Sequence, residues 1–155
     1  MLLFIQAFVF DPILLGIPYV PFVYVLLLIF VPNDWASWIV LLVGFFIGLC
    51  VDFIFVTGGV HAAASLVISY ARPLIIRAAF SDTTTLQNVK IEQEPFGVLL
   101  RYVSLFILIH HFFVFVFIVG TTERIGWLLN AWFTNSLLTI LAIIFILILT
   151  RNVKR

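Results

Sequence analysis

The sequence predicts an all-α polytopic membrane protein: a compact bundle of about six transmembrane helices forming a single domain over residues 1–155. Composition is the first reason, because 65% of the residues are hydrophobic and 10% are charged, whereas soluble domains are about 45–50% apolar and about 25% charged. Length is the second. Each crossing of a bilayer takes about 20 apolar residues, so five or six crossings leave only short loops. We therefore expect no separate aqueous catalytic domain.

Six apolar segments follow one another along the chain, separated by polar or glycine-containing turns. They are Met1–Phe10, Ile17–Val31, Trp35–Val56, Val60–Phe80, Phe96–Val119 and Trp127–Leu149. The first segment is half the length that a bilayer requires; if it does not span, the N-terminus lies outside and the orientation of the other segments is unchanged. Trp35 and Trp38 open the third segment, and aromatic residues of this kind suit the headgroup region. The one polar loop of appreciable length is Ser81–Pro95.

The basic residues predict the orientation of these segments, because Lys and Arg collect on the cytoplasmic side of a membrane. With the C-terminus in the cytoplasm, Arg124 is the only one of the eight Lys and Arg residues left on the outer side. The turn Thr57–Gly59 then faces outward, and the loop Ser81–Pro95 faces the cytoplasm. We therefore expect a multi-pass protein with a cytoplasmic C-terminus.

Composition and the absence of motifs argue against several classes of function. The net charge of +1 argues against a nucleic-acid partner. Cys50 is the only cysteine, which excludes an intrachain disulfide and a cysteine-based metal cage. No phosphate-binding glycine loop, H-E-x-x-H, G-x-S-x-G or C-x-x-C occurs. We also expect no cleavable signal peptide, because no basic region precedes the first apolar run.

Four ionisable side chains lie at membrane depth, where each costs about 2.5–3.5 kcal/mol on insertion scales. Asp52, His61, His110 and His111 fall at similar depths in the outer half of the predicted bundle. They form either a buried polar clamp between helices or a site for protons or a ligand, and the sequence favours the clamp. A metal site is less favoured, because adjacent histidines on a helix point about 100° apart.

Small residues mark where helices approach closely. Gly44 and Gly48 form a G-x-x-x-G within the third segment, a pattern that favours helix packing in lipid. Gly58 and Gly59 make the short turn that follows. The sequence favours packing of the third segment against the fourth, with a helix of another chain as the alternative.

Basic residues also interrupt the cytoplasmic half of the bundle. Arg72 precedes Pro73, which removes a backbone donor and is expected to kink the fourth segment. Arg72 could then bond carbonyls freed nearby, or form a site for an anionic lipid or a partner. Arg77 is expected to snorkel to the headgroups, and Arg101 lies at the same face.

Read in order, these motifs resemble the rod shape-determining MreD family, in the form found in Bacteroidetes-type bacteria. The resemblance is carried by Gly44-x3-Gly48-Leu49-x2-Asp52, Gly58-Gly59-Val60-His61-Ala62-Ala63-Ala64-Ser65, Tyr70-Ala71-Arg72-Pro73, Leu100-Arg101-Tyr102 and Ile109-His110-His111-Phe112. It covers the chain from Gln6 onward. The family usually has a complete first helix, and here Met1 begins in what resembles the second half of that helix.

The resemblance implies a protein of the bacterial inner membrane that has no enzymatic activity and needs no cofactor. MreD-like proteins bind the membrane-anchored protein MreC and work with MreB filaments, the glycosyltransferase RodA and its partner transpeptidase, surrounded by membrane lipids. Their fold is similar to that of the substrate-binding components of ECF-type vitamin transporters. A small-ligand-binding transporter component is therefore the alternative, and proton-coupled translocation is a third, less favoured hypothesis.

Overall fold

The computed structural model describes residues 19–80, 91, 94–119 and 125–153, in which five α-helices occur. They are α1 (Val25–Ile29), α2 (Ser37–Phe55), α3 (Val60–Ala79), α4 (Phe96–Val119) and α5 (Ile125–Val153). The last four are long and apolar enough to cross a membrane. This confirms the predicted all-α, multi-pass membrane architecture, since uninterrupted apolar helices satisfy every backbone group internally.

Four spanning helices occur within the described residues, whereas about six were predicted for the whole chain. The predicted segment Met1–Phe10 lies outside the described residues, as does most of the loop Ser81–Pro95. The predicted segment Ile17–Val31 is not a spanning helix in its described part. Residues 19–24 are non-helical and are followed by α1, which has only five residues.

Proline chemistry explains the interruption of this second segment. Pro21 has no backbone N–H and restricts the residue before it to extended conformations. Non-helical backbone at membrane depth needs polar partners from the protein, and α5 supplies them. The Val20 N–H donates to Asn135 Oδ1 at 3.2 Å, and the Phe22 N–H donates to Thr139 Oγ1 at 2.9 Å.

The four long helices pack in chain order, α2 on α3, α3 on α4 and α4 on α5. Residues 19–24 and α1 lie between them, hydrogen-bonded or packed to all four. The fully buried side chains of Tyr24, Leu28 and Ile29 come from this inserted stretch. They meet Ile68 of α3 and a group from α4 and α5 in one continuous core, which includes Leu99, Tyr102, Phe106, Ile107 and Ile143.

The two outer helices of the row, α2 and α5, each keep a broad apolar face uncovered. Only 28% of the most apolar stretch of either helix is buried, against 50% for α3 and for α4. The exposed side chains recur every three or four positions. On α2 they are Trp38, Leu42, Phe46, Leu49 and Phe53, and on α5 they are Leu129, Phe133, Leu137, Leu141 and Phe145. Such faces suit lipid or another membrane helix.

Candidate functional site

The predicted polar residues gather in two separate buried regions. One, termed here the Asp52 centre, consists of Asp52, Thr57, His61, Tyr24 and the two histidines of α4, His110 and His111. The other, termed the Arg72 centre, consists of Arg72, Tyr102 and the carbonyl groups of residues 29–32. Both involve α3, the Asp52 centre at its beginning and the Arg72 centre in its C-terminal half.

The Asp52 centre begins with the tight turn between α2 and α3. Val56, Gly58 and Gly59 have φ angles of 55°, 67° and 97°, so the chain reverses through the left-handed region. Gly59 occupies the N-cap position of α3 and has no side chain to accept the first backbone N–H groups of that helix. An acceptor has to come from elsewhere.

Asp52, on the preceding helix, provides that acceptor. Its Oδ1 accepts the His61 N–H at 2.9 Å, and its Oδ2 accepts the Ala62 N–H at 2.8 Å. The Thr57 hydroxyl donates to Oδ1 at 2.5 Å. The carboxylate is 5% exposed, and it is stabilised by charge-assisted hydrogen bonds and by the positive end of the α3 dipole. Asp52 therefore fastens α2 to the beginning of α3.

A hydroxyl bridge joins two histidines from different helices. Tyr24 Oη lies 2.9 Å from His61 Nδ1 and 3.1 Å from His110 Nε2, and all three side chains are buried. A hydroxyl carries one hydrogen, so Tyr24 donates to at most one of the two imidazoles. At least one of these histidines therefore carries a proton on the nitrogen that faces Tyr24.

His111 points to a different neighbour from His110, as their adjacent positions on a helix require. His111 Nδ1 lies 3.1 Å from Ser136 Oγ on α5. The ring of Phe22 stands edge-on between this histidine and His61, with ring centroids 5.1 Å from His111 and 5.4 Å from His61. An aromatic ring thus separates the two imidazoles.

The far nitrogens of the two α4 histidines differ from the rest of the centre. His110 Nδ1 and His111 Nε2 are buried and have no hydrogen-bond partner within the part of the chain that the structure describes. In the same part, no group of three His, Cys, Asp or Glu side chains is arranged to hold a metal ion. The centre is thus a chain of mutual hydrogen bonds with two unsatisfied ring nitrogens.

The Arg72 centre lies at the C-terminal end of α1. The Arg72 side chain is 4% exposed and donates to the carbonyl oxygens of Ile29, Val31 and Pro32. Its Nε donates to Tyr102 Oη at 3.4 Å. These carbonyls are at or just beyond the C-terminal end of α1, where a cation is favourable. The expectation that Arg72 bonds carbonyls freed by Pro73 is therefore wrong, because its partners belong to another segment.

A cavity of about 350 Å³ adjoins Arg72 where α2 begins and α3 approaches its end. Its polar lining comes from the turn before α2, from the first residue of α2 and from α3. These residues are Asn33, Trp35, Ser37, Ser69, Tyr70 and Arg72. Trp35 and Tyr70 are 43% and 77% exposed, so the cavity has a partly open aromatic margin.

The other predicted basic positions take separate roles. Arg101 on α4 donates to the Ala79 carbonyl at the end of α3, whereas Arg77 is exposed. Pro73 lies within α3, and the helix continues through it to Ala79. Neither Arg77 nor Arg101 is joined to Arg72.

The predicted glycines sit where α2 crosses α3. A Cβ atom on Gly48 would lie 2.6 Å from the Cα of Ala62, and one on Gly44 would lie 3.1 Å from the Ser65 carbonyl oxygen. The G-x-x-x-G therefore packs against the next helix of the same chain. It brings the Asp52 carboxylate within reach of the α3 backbone.

Several partners were not singled out from the sequence. Tyr24, Thr57 and Ser136 complete the Asp52 centre, and Tyr102 completes the Arg72 centre. Residues with hydroxyl groups are readily accommodated in apolar segments, so the residue type alone does not indicate a partner in a buried polar centre. Spacing could have suggested Thr57, because it falls five residues after Asp52 in the turn.

Comparison of the chain with known protein families, with curated proteins and with solved structures finds no match.

Proposed function

We propose that this chain is a non-enzymatic integral membrane scaffold of the bacterial cell-wall elongation complex, located in the inner membrane with its C-terminus in the cytoplasm. It would control rod shape by binding an MreC-like single-span protein. Through that partner it would be linked, directly or indirectly, to peptidoglycan synthases of the RodA type with their transpeptidase and to MreB filaments. The order of motifs that resembles the MreD family is the basis for this identification.

One structural observation supports a scaffold over a catalyst: the Asp52 carboxylate accepts its hydrogen bonds from the protein itself. Both oxygens accept from the α3 backbone, and Oδ1 also accepts from the Thr57 hydroxyl. A carboxylate held in this way fixes the α2–α3 geometry and is poorly placed to act on a substrate. The predicted clamp role fits this geometry.

The exposed apolar faces of α2 and α5 support the partner-binding part of the proposal. In lipid, helices associate through close packing and a few hydrogen bonds, because the hydrophobic effect does not favour one apolar neighbour over another. A single-span partner could pack along either face. Cys50, the native cysteine, is exposed on α2 and gives direct experimental access to the first of these faces.

Crosslinking and co-purification from the native bacterium test this proposal. The tagged chain, carrying a photoreactive group on Cys50, is irradiated in membranes, and the adducts are identified by mass spectrometry. A matched variant, C50S with L141C, places the same group on the exposed face of α5. Adducts with a bitopic coiled-coil protein, together with recovered cell-wall synthases, support the scaffold. Recovery of an ATPase pair with its coupling subunit contradicts it.

A small-ligand-binding component of an ECF-type transporter is the second candidate, favoured by two buried ring nitrogens, His110 Nδ1 and His111 Nε2, that have no hydrogen-bond partner among the described residues. A bound ligand would satisfy them. Thermal unfolding in detergent with candidate vitamins distinguishes the two functions. A specific rise in Tm that is lost in His110→Phe supports the transporter component, and no rise with any ligand supports the scaffold.

A further inference from the structure

The cavity beside Arg72 combines a buried charge with an opening at the membrane surface. Its walls lie at the start of α2 and between Ser69 and Ile76 of α3, beside Trp35 and Trp38, which are 43% and 63% exposed. Tryptophan is enriched where hydrocarbon meets headgroups. The cavity is therefore at the depth at which lipid phosphates lie.

Arg72 forms no ion pair with a carboxylate in the described part of the chain. Its hydrogen-bond partners there are neutral oxygens: three carbonyls and the Tyr102 hydroxyl. Those contacts use four of the five guanidinium hydrogens. A buried cation is normally paired with an anion, and Arg72 is the one charged residue among the described residues that line the cavity.

The remaining lining suits a phosphate group with an apolar tail. Ser37 and Ser69 carry hydroxyl groups, and the indole N–H of Trp35 is a further donor. Outside the cavity, Leu42 on α2 and Leu74 on α3 are 48% and 64% exposed, which provides an apolar surface for an acyl chain. A polar cavity bordered by such a surface matches an amphipathic anion.

We propose that this cavity binds a phosphate-bearing anionic headgroup, whose charge neutralises Arg72. The ligand is either an anionic phospholipid or a soluble phosphate compound, and the two share the same contacts with Arg72 and the serine hydroxyls. Guanidinium groups hold phosphate by directed, charge-assisted hydrogen bonds. The inference is independent of the proposed scaffold role and would stand if that role were disproved.

Thermal unfolding of the purified full chain in a neutral detergent tests the proposal. The probes are short-chain phosphatidylglycerol, short-chain phosphatidylcholine and inorganic phosphate. We expect a saturable rise in Tm with phosphatidylglycerol that phosphatidylcholine does not reproduce. A rise with inorganic phosphate as well assigns the site to soluble phosphate compounds, and its absence assigns the site to lipid. No rise with either anion, or equal rises with both lipids, overturns the proposal.

Two variants connect the effect to this cavity without removing Arg72, because Arg72 also holds the carbonyl groups at the end of α1. Ser37→Glu places a carboxylate in the cavity lining, at the first residue of α2, where an acidic side chain suits the helix dipole. Gly97→Glu is the matched control, because it adds the same charge to the first turn of α4 with open space around its Cβ position. We expect Ser37→Glu to weaken phosphatidylglycerol binding by about tenfold and Gly97→Glu to leave it unchanged. Equal binding by the two variants overturns the proposal.

Discussion

The Asp52 centre and the Arg72 centre both use a buried charge to satisfy backbone groups at the end of a helix, and the two charges have opposite signs. Asp52 places a carboxylate at the N-terminal end of α3, and Arg72 places a guanidinium at the C-terminal end of α1. Each charge is thus matched to the helix end that stabilises it. They differ in their surroundings. The Asp52 centre is tightly enclosed, whereas the Arg72 centre borders a cavity of about 350 Å³.

This difference indicates that the two centres along α3 have different roles. A charge enclosed by its own hydrogen-bond donors can only hold helices together, and its removal leaves orphaned backbone groups. A charge beside a cavity can hold helices together and also meet a ligand. The same contrast predicts which substitutions the protein tolerates, since water can enter one centre more readily than the other.

The largest effect is expected for Asp52→Leu. The substitution leaves the N–H groups of His61 and Ala62 buried without an acceptor, and each such group costs about 1–3 kcal/mol. We expect a severe loss of folded protein, measured as monodisperse yield and Tm in detergent, and a consequent loss of cell shape. Asp52→Asn keeps one acceptor oxygen and should lose less. A stable Asp52→Leu protein that still binds its partner would contradict the clamp.

Gly48→Ala and Gly44→Ala should come next, and they should differ from each other. At Gly48 the new methyl group meets the backbone of Ala62, which cannot move alone. At Gly44 the close neighbours include the side chain of Ser69, which can rotate away. We expect destabilisation of about 3 kcal/mol at Gly48 and about 1 kcal/mol at Gly44. Unfolding in a denaturing detergent titration measures both, and equal losses would show that the α2–α3 crossing is uniformly tight.

Arg72→Met should cost less than Asp52→Leu, although both remove a buried charge. Methionine fills most of the side-chain volume, and water entering from the cavity can bond the carbonyls of Ile29 and Val31. We expect a loss of about 1–2 kcal/mol, measured as a shift in the same detergent titration. A loss as large as that of Asp52→Leu would show that the Arg72 centre is as closed as the Asp52 centre.

The smallest effect is a gain, expected for Val56→Gly. Val56 is a β-branched residue with a φ of 55°, a conformation that costs about 1–2 kcal/mol for residues other than glycine. Its side chain is 88% exposed, so little packing is lost. Glycine should raise stability by up to about 1 kcal/mol, partly offset by its greater flexibility when unfolded. Alanine at the same position, which keeps the strain, is the control and should show no gain.

Hydropathy was sufficient to predict the four long helices to within a few residues. The segment Phe96–Val119 has the bounds of α4, and the predicted Trp35–Val56 contains α2 with two residues excluded at its start. These limits follow from composition, because apolar runs and glycine or proline turns are local signals.

The second segment shows where that reasoning fails. Residues 19–31 are apolar because they are buried in protein, and hydropathy does not distinguish this from burial in lipid. Pro21 was the local signal against a spanning helix. The bridge from His61 through Tyr24 to His110 had no local signal at all, since it depends on packing between segments far apart in the chain.

The inserted stretch of residues 19–24 also constrains the order in which the protein is made. Its backbone donors Val20 and Phe22 are satisfied by Asn135 and Thr139, side chains 115 and 117 residues further along the chain. During synthesis, these N–H groups reach the membrane before α5 exists, and hydrocarbon offers them no acceptor. The stretch therefore has to wait at the aqueous boundary or in the translocation machinery until the last helix has been inserted. Residues 19–24 are thus made early and reach their final position last.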